Sequence, residues 1–171
     1  MLLSAWNTTL DNANFTGAPL VLGTAGNLAC FGVQNLVLTL QTYYSYPYND
    51  YPALGLVDGN LRAFDKEGNW NTNASAPSSG YELLSWATSS FLHDVASTAF
   101  SAVEIPSSEY PVLAVDGVHD MWYLCPYNDD YLGQNSVYFN ISSIESSSGS
   151  FTLSCYSVLL NLVPIMDYHW R

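Results

Sequence analysis

The sequence predicts one all-β domain over residues 1–171, a single compact antiparallel barrel or sandwich with at most one short helix. Short or alternating apolar runs rich in β-branched and aromatic residues recur along the chain, which is typical of strands. Asp-Gly pairs stand between apolar runs at two places, which is typical of tight hairpins. A chain of 171 residues can bury about two-thirds of its unfolded surface, so one core is enough to hold it.

The elements follow from these patterns in chain order. Asp-Gly at residues 58–59 and 116–117 marks the two hairpins, because this pair readily takes the positive φ angles of a tight turn. Residues 65–80 are polar and predict a loop, whereas apolar residues at helical spacing over 82–103 predict the short helix. The predicted strands are residues 20–22, 28–33, 36–43, 54–57, 61–64, 112–115, 119–124, 136–141 and 151–163.

Two regions carry more detailed expectations. Residues 23–27 contain two glycines and predict a turn between the first two strands. Leucine alternates with other residues over 36–43, which predicts a strand with one buried and one exposed face.

A faint internal repeat leaves a β-trefoil as an alternative fold. Three segments share an apolar pair, a glycine turn and an apolar restart, although Asp-Gly hairpins also recur in any antiparallel protein. The segments are residues 20–28, 54–61 and 113–118.

The chain is strongly acidic, with fifteen Asp and Glu residues against three basic ones, Arg62, Lys66 and Arg171. Such a surface repels nucleic acid and anionic lipid, because binding to either needs a basic patch. No uncharged apolar run reaches the length of a membrane span, and residues 1–6 are too short for a signal peptide. We expect neither nucleic acid nor a membrane as a partner.

Four Asn-x-Ser/Thr sequons predict N-glycosylation, and they lie at Asn7, Asn14, Asn73 and Asn140. The polar residues are mostly Ser, Thr, Asn and Tyr, with a single lysine, Lys66, in the whole chain. This composition suits an acidic medium, where protonation of carboxylates lowers the repulsion between negative charges. Together these features predict a secreted protein, found in the extracellular space or the cell wall.

Three cysteines make an odd count, so one of them is left over by a single internal disulfide. We expect Cys125 to pair with Cys155, closing a loop of about 30 residues. Cys30 lies between Ala29 and Phe31, which favours a buried thiol. The alternative for Cys30 is a bridge to a partner chain.

No pattern predicts a catalytic site or a cofactor. The histidines His93, His119 and His169 stand in no recognised motif, and neither a Gly-x-Ser-x-Gly elbow nor a His-Glu-x-x-His zinc motif is present. A pair of carboxylates, as glycosidases use, needs no sequence motif, so a small carbohydrate-active protein stays an alternative.

Two acidic clusters could in principle hold a metal ion, but we expect none there. Asp116, His119 and Asp120 follow the pattern of a solvated turn with a surface histidine. Asp129 and Asp130 lack the alternating Asp, Asn and Gly of a calcium loop.

The best candidate for a binding surface is the tyrosine segment, residues 43–52. Tyrosine has a rigid apolar face and a polar tip, which suit contact with a protein partner or a sugar ring. Asn49 and Asp50 could accept sugar hydroxyls, and a purely structural loop is the alternative. The tyrosines concerned are Tyr43, Tyr44, Tyr46, Tyr48 and Tyr51.

The last third carries four features in a fixed order. They are Trp-x-x-Cys-Pro at 122–126, a tyrosine-containing strand at 137–141, Cys155 and an aromatic segment at 168–170. In this order the chain resembles the fungal secreted cell-wall proteins of the phialide type (PhiA-like). The resemblance implies the Cys125–Cys155 pairing, secretion and a non-catalytic glycoprotein role. The chain departs from that family at Cys30 and in the tyrosine segment.

We therefore expect a non-catalytic secreted glycoprotein that acts through its surface, with cell-wall polysaccharide or a larger secreted protein as its partner. One alternative is a small accessory subunit of a secreted heterodimeric oxidoreductase such as a laccase, whose small subunits are similar in size and acidity. In that case the tyrosine segment and Cys30 would belong to the subunit interface. Another alternative is a carbohydrate-binding protein.

Overall fold

The computed structural model describes residues 1–12, 14–30, 33–77, 82–89, 97–126, 135–141 and 155–165. Every regular element in these ranges is a β-strand, which confirms the all-β prediction. The strands are β1 (Leu2–Asn7), β2 (Ala18–Cys30), β3 (Val33–Thr42), β4 (Ala53–Val57), β5 (Asn60–Phe64), β6 (Trp70–Ser75), β7 (Glu82–Leu83), β8 (Ser85–Ser89), β9 (Phe100–Val103), β10 (Val112–Val115), β11 (Trp122–Pro126), β12 (Asn135–Phe139) and β13 (Tyr156–Val163).

Six of these strands close into an antiparallel barrel. Their order around the wall is β3-β2-β1-β13-β11-β12. The wall closes where β12 pairs with β3, with Ser136 opposite Gln41. Of the folds left open by the sequence, the structure is therefore a barrel.

The other strands extend or cover this wall. β8, β6, β5 and β4 continue the sheet outward from β3 in that order. β7 pairs with β12, and β10 pairs with both β13 and β9. The backbone N–H of Leu54 in β4 donates to the Met1 carbonyl over 2.9 Å, so the outer strands fold back against the barrel.

Alternation along the barrel strands places every second side chain in the core. Leu3, Leu40 and Leu160 are fully buried there, each on a different strand. Trp122 packs edge-on against Phe139, with the ring centroids 4.8 Å apart. Its indole N–H donates to the Leu113 carbonyl over 2.8 Å, so this large polar group is buried with its hydrogen bond made.

Both Asp-Gly hairpins are confirmed. Asp58 and Gly59 have φ angles of 49° and 77°, and they join β4 to β5. Asp116 and Gly117 have φ angles of 50° and 80°, and Val115 pairs with Val118 across them. The local chemistry of this dipeptide was sufficient to place both turns.

The predicted turn at residues 23–27 is wrong. β2 runs through it as one strand, with a bulge between Thr24 and Gly26. Glycine within a strand marks a bulge or a close approach as readily as a turn. At Gly23 the Gln41 side chain comes close to the backbone, because a Cβ there would lie 2.7 Å from the Gln41 side-chain oxygen.

The expectation of one exposed face on the strand at 36–43 is also wrong. Leu38 and Leu40 point into the core as predicted. Thr39 and Gln41, on the opposite face, are nevertheless buried as well. The outer face of the barrel is thus covered at β3.

Two further predictions are corrected by the strands found in their place. β6 lies within residues 65–80, where a loop was predicted. β7, β8 and β9 lie within 82–103, where a helix was predicted, and residues 90–96 of that range are outside the described part. The aromatic and β-branched residues of this region favour strands, and that preference prevails over the helical spacing.

The three repeated segments do not occupy equivalent positions. The first lies inside β2 in the barrel wall, whereas the second and third form hairpins outside the barrel. A trefoil requires three equivalent units, so the repeat does not mark a trefoil, and only the second and third segments share hairpin chemistry.

Candidate binding surface at one end of the barrel

Several connections gather at one end of the barrel, which we call the tyrosine end. β1 finishes there at Asn7, β3 at Thr42 and β11 at Pro126, while β2 begins there at Ala18 and β13 at Tyr156. Neighbouring strands are antiparallel and in register, so these positions share one rim. The loop over residues 8–17 and the tyrosine segment therefore leave the barrel side by side.

The tyrosine segment is fastened to the barrel where it starts. The N–H of Tyr43 donates to the Pro19 carbonyl over 2.9 Å, and the N–H of Tyr46 donates to the Thr42 carbonyl over 3.1 Å. The Ser45 hydroxyl accepts a bond from the Asn135 N–H over 3.2 Å. These bonds tie the first turn of the segment to β2, β3 and β12.

The far end of the segment is held by an ion pair. Lys66 Nζ lies 3.0 Å from Asp50 Oδ1, and both side chains are exposed. A surface pair of this kind contributes only about 0.2–1 kcal/mol, so it orients the segment more than it stabilises the fold. Arg62 stacks on Trp70 with its guanidinium carbon 4.0 Å from the ring centroid. Two of the chain's three basic residues thus lie beside the segment or just beyond it.

The five tyrosines divide into two groups. Tyr44, Tyr48 and Tyr43 are 97%, 64% and 48% exposed, so their rings are available to a partner. Tyr46 and Tyr51 are half-buried, and Tyr46 supports Tyr48 in an edge-to-face contact at 5.2 Å. The exposed tyrosines therefore suit a binding surface, and the half-buried ones suit a structural loop.

Tyr51 is the structural member of this group. Its ring packs against the main core. Burial raises the pKa of its hydroxyl, and the charges of Asp50 and Asp65 raise it further. The neutral hydroxyl is therefore the form that the folded chain prefers.

Cys30 does not belong to the tyrosine end. It lies at the last position of β2, opposite Val33, where the β2–β3 hairpin turns. β3 has ten residues, so its two ends are about 30 Å apart. A contact made by Cys30 and a contact made by the tyrosine segment would be separate.

The predicted disulfide is confirmed, and it lies at the tyrosine end. Cys125 in β11 bonds to Cys155, the residue before β13. The bridge packs with Tyr138 and Ile141 in a small apolar cluster apart from the main core. The loop-entropy model assigns roughly 3.5 kcal/mol to a bridge that closes a loop of this length.

Two predicted glycosylation sites, one at the end of β1 and one in the loop over residues 8–17, each form a turn with the threonine of their own sequon. Asn7 Oδ1 accepts bonds from the N–H and the hydroxyl of Thr9, over 2.9 and 3.0 Å. Asn14 Oδ1 accepts the equivalent pair from Thr16, both over 3.0 Å. In each sequon the threonine hydroxyl thus contacts the asparagine amide that would carry the glycan.

The other two sequons have different surroundings. Asn73 lies inside β6 opposite Arg62, and its side-chain oxygen is buried with no hydrogen-bond partner among the described residues. Asn140 follows β12 with a φ of 48°, and its N–H donates to the Met121 carbonyl over 2.8 Å. Of the four sequons, those at Asn7 and Asn14 belong to the turns that follow β1.

The catalytic and metal candidates that the structure describes do not converge on a site. Asp116 and Asp120 are exposed beside the second hairpin, with His119 half-buried. No three His, Cys, Asp or Glu residues within the described ranges are close enough together to hold a metal ion. The remaining candidates, His93, His169, Asp129 and Asp130, lie outside those ranges, as do residues 168–170 and Arg171.

Sequence reasoning missed one cleft on the outer wall of the barrel. It has a volume of about 160 Å³ and lies between the loop over residues 8–17 and the segment before β10. An adjoining cleft of about 290 Å³ follows that segment. The first is lined by Trp6, Phe15, Ser107, Ser108, Glu109 and Asn161, and the second by Glu104, Ile105, Ser108, Glu109, Tyr110 and Pro111.

Fold and surface together define an antiparallel β-barrel protein with one internal disulfide and an exposed tyrosine segment that is anchored to the barrel. No family model matches the chain, and no curated protein or solved structure matches it. Among the described residues, no helix is long and apolar enough to span a membrane.

Proposed function

We propose that this chain is a secreted, non-catalytic glycoprotein that acts by binding through its surface in the cell wall or another extracellular structure. The observation that carries the proposal is the tyrosine segment, with Tyr44 and Tyr48 exposed on an anchored turn. The Cys125–Cys155 disulfide supports an oxidising compartment, because structural disulfides are rare in reducing ones.

Anchored tyrosines are well suited to binding. A tyrosine ring has only two side-chain torsions, so fixing it on a partner costs little conformational entropy. The hydrogen bonds to β2, β3 and β12 hold the first turn of the segment, so less ordering is left for the binding step. The exposed ring of Tyr44 then offers apolar area, and its hydroxyl offers a hydrogen bond.

The charge around the segment favours an uncharged partner surface. The ion pair with Lys66 offsets the charge of Asp50. The chain as a whole has a net charge of −12 and repels polyanions. A neutral wall polysaccharide meets both conditions, and it is the first partner that we propose.

The test is co-sedimentation of the purified protein with insoluble cell-wall β-glucan and with chitin. Tyr44→Ala and Tyr48→Ala should each lower the bound fraction several-fold, since each removes an exposed ring that stacks on the sugar. Met121→Ala is the matched control, because Met121 is also exposed but precedes β11 at the opposite end of the barrel. Equal binding of all four proteins would refute a role of the tyrosine segment.

A second candidate function is that of an accessory subunit of a larger secreted enzyme. It is favoured by the 97% exposure of Tyr44, because protruding tyrosines are enriched among the residues that dominate protein interfaces. Native mass spectrometry of the secreted protein should then show a stoichiometric complex with a larger chain. Tyr44→Ala should weaken that complex, and detection of the free chain alone would rule this function out.

The absence of catalysis that we propose can also be tested directly. The purified protein should turn over no substrate in assays for hydrolysis and oxidation. Turnover that stops on a single substitution such as Asp116→Asn, with the fold intact by circular dichroism, would overturn the proposal.

A further inference from the structure

The smaller of the two adjoining clefts on the outer wall is built around one buried amide. Asn161 of β13 is 2% exposed. Its Nδ2 donates to the Thr16 carbonyl over 3.1 Å, and its Oδ1 accepts from the Ser108 hydroxyl over 3.0 Å. The Ser4 hydroxyl donates to the same Thr16 carbonyl. Both walls of the smaller cleft are therefore tied to the barrel through Asn161, and the cleft is formed before any ligand arrives.

The lining of the smaller cleft combines aromatic faces with hydrogen-bonding groups. Trp6 is half-buried on β1, and Phe15 is 69% exposed on the loop over residues 8–17 that follows β1. Glu109 and Ser107 are exposed at the rim and offer a carboxylate and a hydroxyl. A pyranose ring presents an apolar C–H face and a rim of hydroxyls, which match an aromatic face and polar acceptors of this kind.

The larger cleft continues the same surface. It shares Ser108 and Glu109 with the smaller one and extends to Tyr110 and Glu104. Its volume of about 290 Å³ is near the lower end of the range for small-molecule sites, roughly 300–1,000 Å³. Two adjoining clefts that share a carboxylate suit two consecutive units of a chain-like ligand.

The charge of the groove selects among sugars. Glu104 and Glu109 line it, and no basic side chain of the described residues does. Phosphorylated sugars, uronic acids and nucleotides would be repelled by these carboxylates. A neutral ligand keeps the hydrogen bonds to the carboxylates without that repulsion, and hydrogen bonds to ionised acceptors are stronger than neutral ones.

We propose that the two clefts form one groove that binds a neutral oligosaccharide of at least two units, at a site lined by none of the residues of the tyrosine segment. The groove binds and does not cleave. The acid of a glycosidase usually lies in a closed, apolar part of its site. The side chains of Glu104 and Glu109 are both exposed to solvent.

The test is a titration of the soluble protein with laminarihexaose, cellohexaose and chitohexaose, followed by tryptophan fluorescence and by isothermal calorimetry. At least one of the three should bind. Phe15→Ala and Glu109→Gln should each weaken that binding about tenfold, which corresponds to about 1.4 kcal/mol. Both side chains are exposed, so neither change should unfold the chain.

Two controls keep this groove distinct from the proposed function. Leu10→Ala is matched to Phe15→Ala, because Leu10 lies on the same loop with the same 69% exposure and lines neither cleft. Tyr44→Ala tests the tyrosine segment. Loss of binding in Phe15→Ala and Glu109→Gln, with binding retained in both controls, supports the groove. Unchanged binding in Phe15→Ala and Glu109→Gln overturns the inference, and loss in Tyr44→Ala with binding kept in Glu109→Gln assigns the sugar to the tyrosine segment.

Two further outcomes would also overturn it. The first is no binding of any of the three oligosaccharides. The second is their cleavage, which would make the groove an active site.

Discussion

At the scale of single residues, the outer face of the barrel holds an unusual set of buried polar side chains. Gln41 is 1% exposed, and its Nε2 donates to the Thr39 hydroxyl over 3.0 Å. In the described part of the chain, its Oε1 and the hydroxyl of Ser136, the residue opposite it on β12, have no hydrogen-bond partner. Buried polar groups normally have partners, so these two atoms weaken the fold where the barrel closes.

This imbalance predicts opposite outcomes for two similar substitutions. Thr39→Val removes the hydroxyl that accepts from the Gln41 amide and should lower the unfolding free energy by about 1–3 kcal/mol. Ser136→Ala removes a hydroxyl that has no partner among the described residues and should leave the unfolding free energy unchanged or raise it slightly. Urea unfolding followed by circular dichroism measures both. A larger loss in Ser136→Ala than in Thr39→Val would contradict this account.

Residue-level prediction from the sequence succeeded where the cause was local. Asp58-Gly59 and Asp116-Gly117 fix their turns by their own conformational preferences, whatever surrounds them. Gly23 shows the opposite case. Its role depends on Gln41, a residue eighteen positions later on the neighbouring strand, so no local pattern could reveal it.

At the scale of elements, the β4–β5 hairpin is also a packing element. The carbonyl of Gly59 accepts a bond from the Phe100 N–H over 3.0 Å, which fixes the hairpin tip against β9. A Cβ at Gly59 would lie 2.4 Å from the backbone oxygen of Thr98. The other hairpin has the same turn, but a Cβ at Gly117 would have none of the described neighbouring atoms within 4 Å.

The two glycines therefore form a matched pair. Gly117→Ala should lower the unfolding free energy by about 1–2 kcal/mol, the cost of a side chain at positive φ. Gly59→Ala carries the same cost and adds a clash with backbone that cannot move aside, so its loss should be clearly larger. Thermal and urea unfolding of the two variants make the comparison. Equal losses would show that the hairpin tip does not rest on residues 98–100.

Element prediction failed in two segments of the barrel wall, at the glycines of β2 and in the expected exposure of β3. Segments of β2 and β3 read as a turn and a half-exposed strand, yet the structure has one long bulged strand and a strand buried on both faces over residues 38–41. The alternation of apolar and polar residues signals a strand only when one face meets solvent. Polar residues such as Thr39 and Gln41 therefore suggested an exposed face that does not exist.

At the scale of the whole molecule, the two candidate binding surfaces differ in how the sequence encodes them. The tyrosine segment is continuous in sequence, so its composition alone drew attention to it. The groove combines residues from β1, the following loop, the segment before β10, and β13. Trp6 and Asn161 are 155 positions apart and meet only because β1 pairs with β13, which no local pattern could predict.

Tyrosine ionisation should limit the stability of the whole barrel at alkaline pH. Burial raises the pKa of Tyr51, with the Asp50 and Asp65 charges adding to it, and burial raises the pKa of Tyr156. Both rings pack against the main core. In the unfolded chain each hydroxyl ionises near a pKa of about 10, so the unfolded state loses these protons first as the pH rises.

The unfolding free energy should therefore be unaffected by these groups below pH about 10 and should fall as the pH rises from there through the raised pKa values of the folded chain. Tyr51→Phe and Tyr156→Phe each remove one ionising group and should make that fall shallower. Urea unfolding at a series of pH values between about 8 and 11 measures it, with Tyr44→Phe as the control because its hydroxyl is exposed. If the two core-packed variants lost stability with pH as steeply as the unmodified chain, the contact of these tyrosines with the core would not be what limits the barrel at high pH.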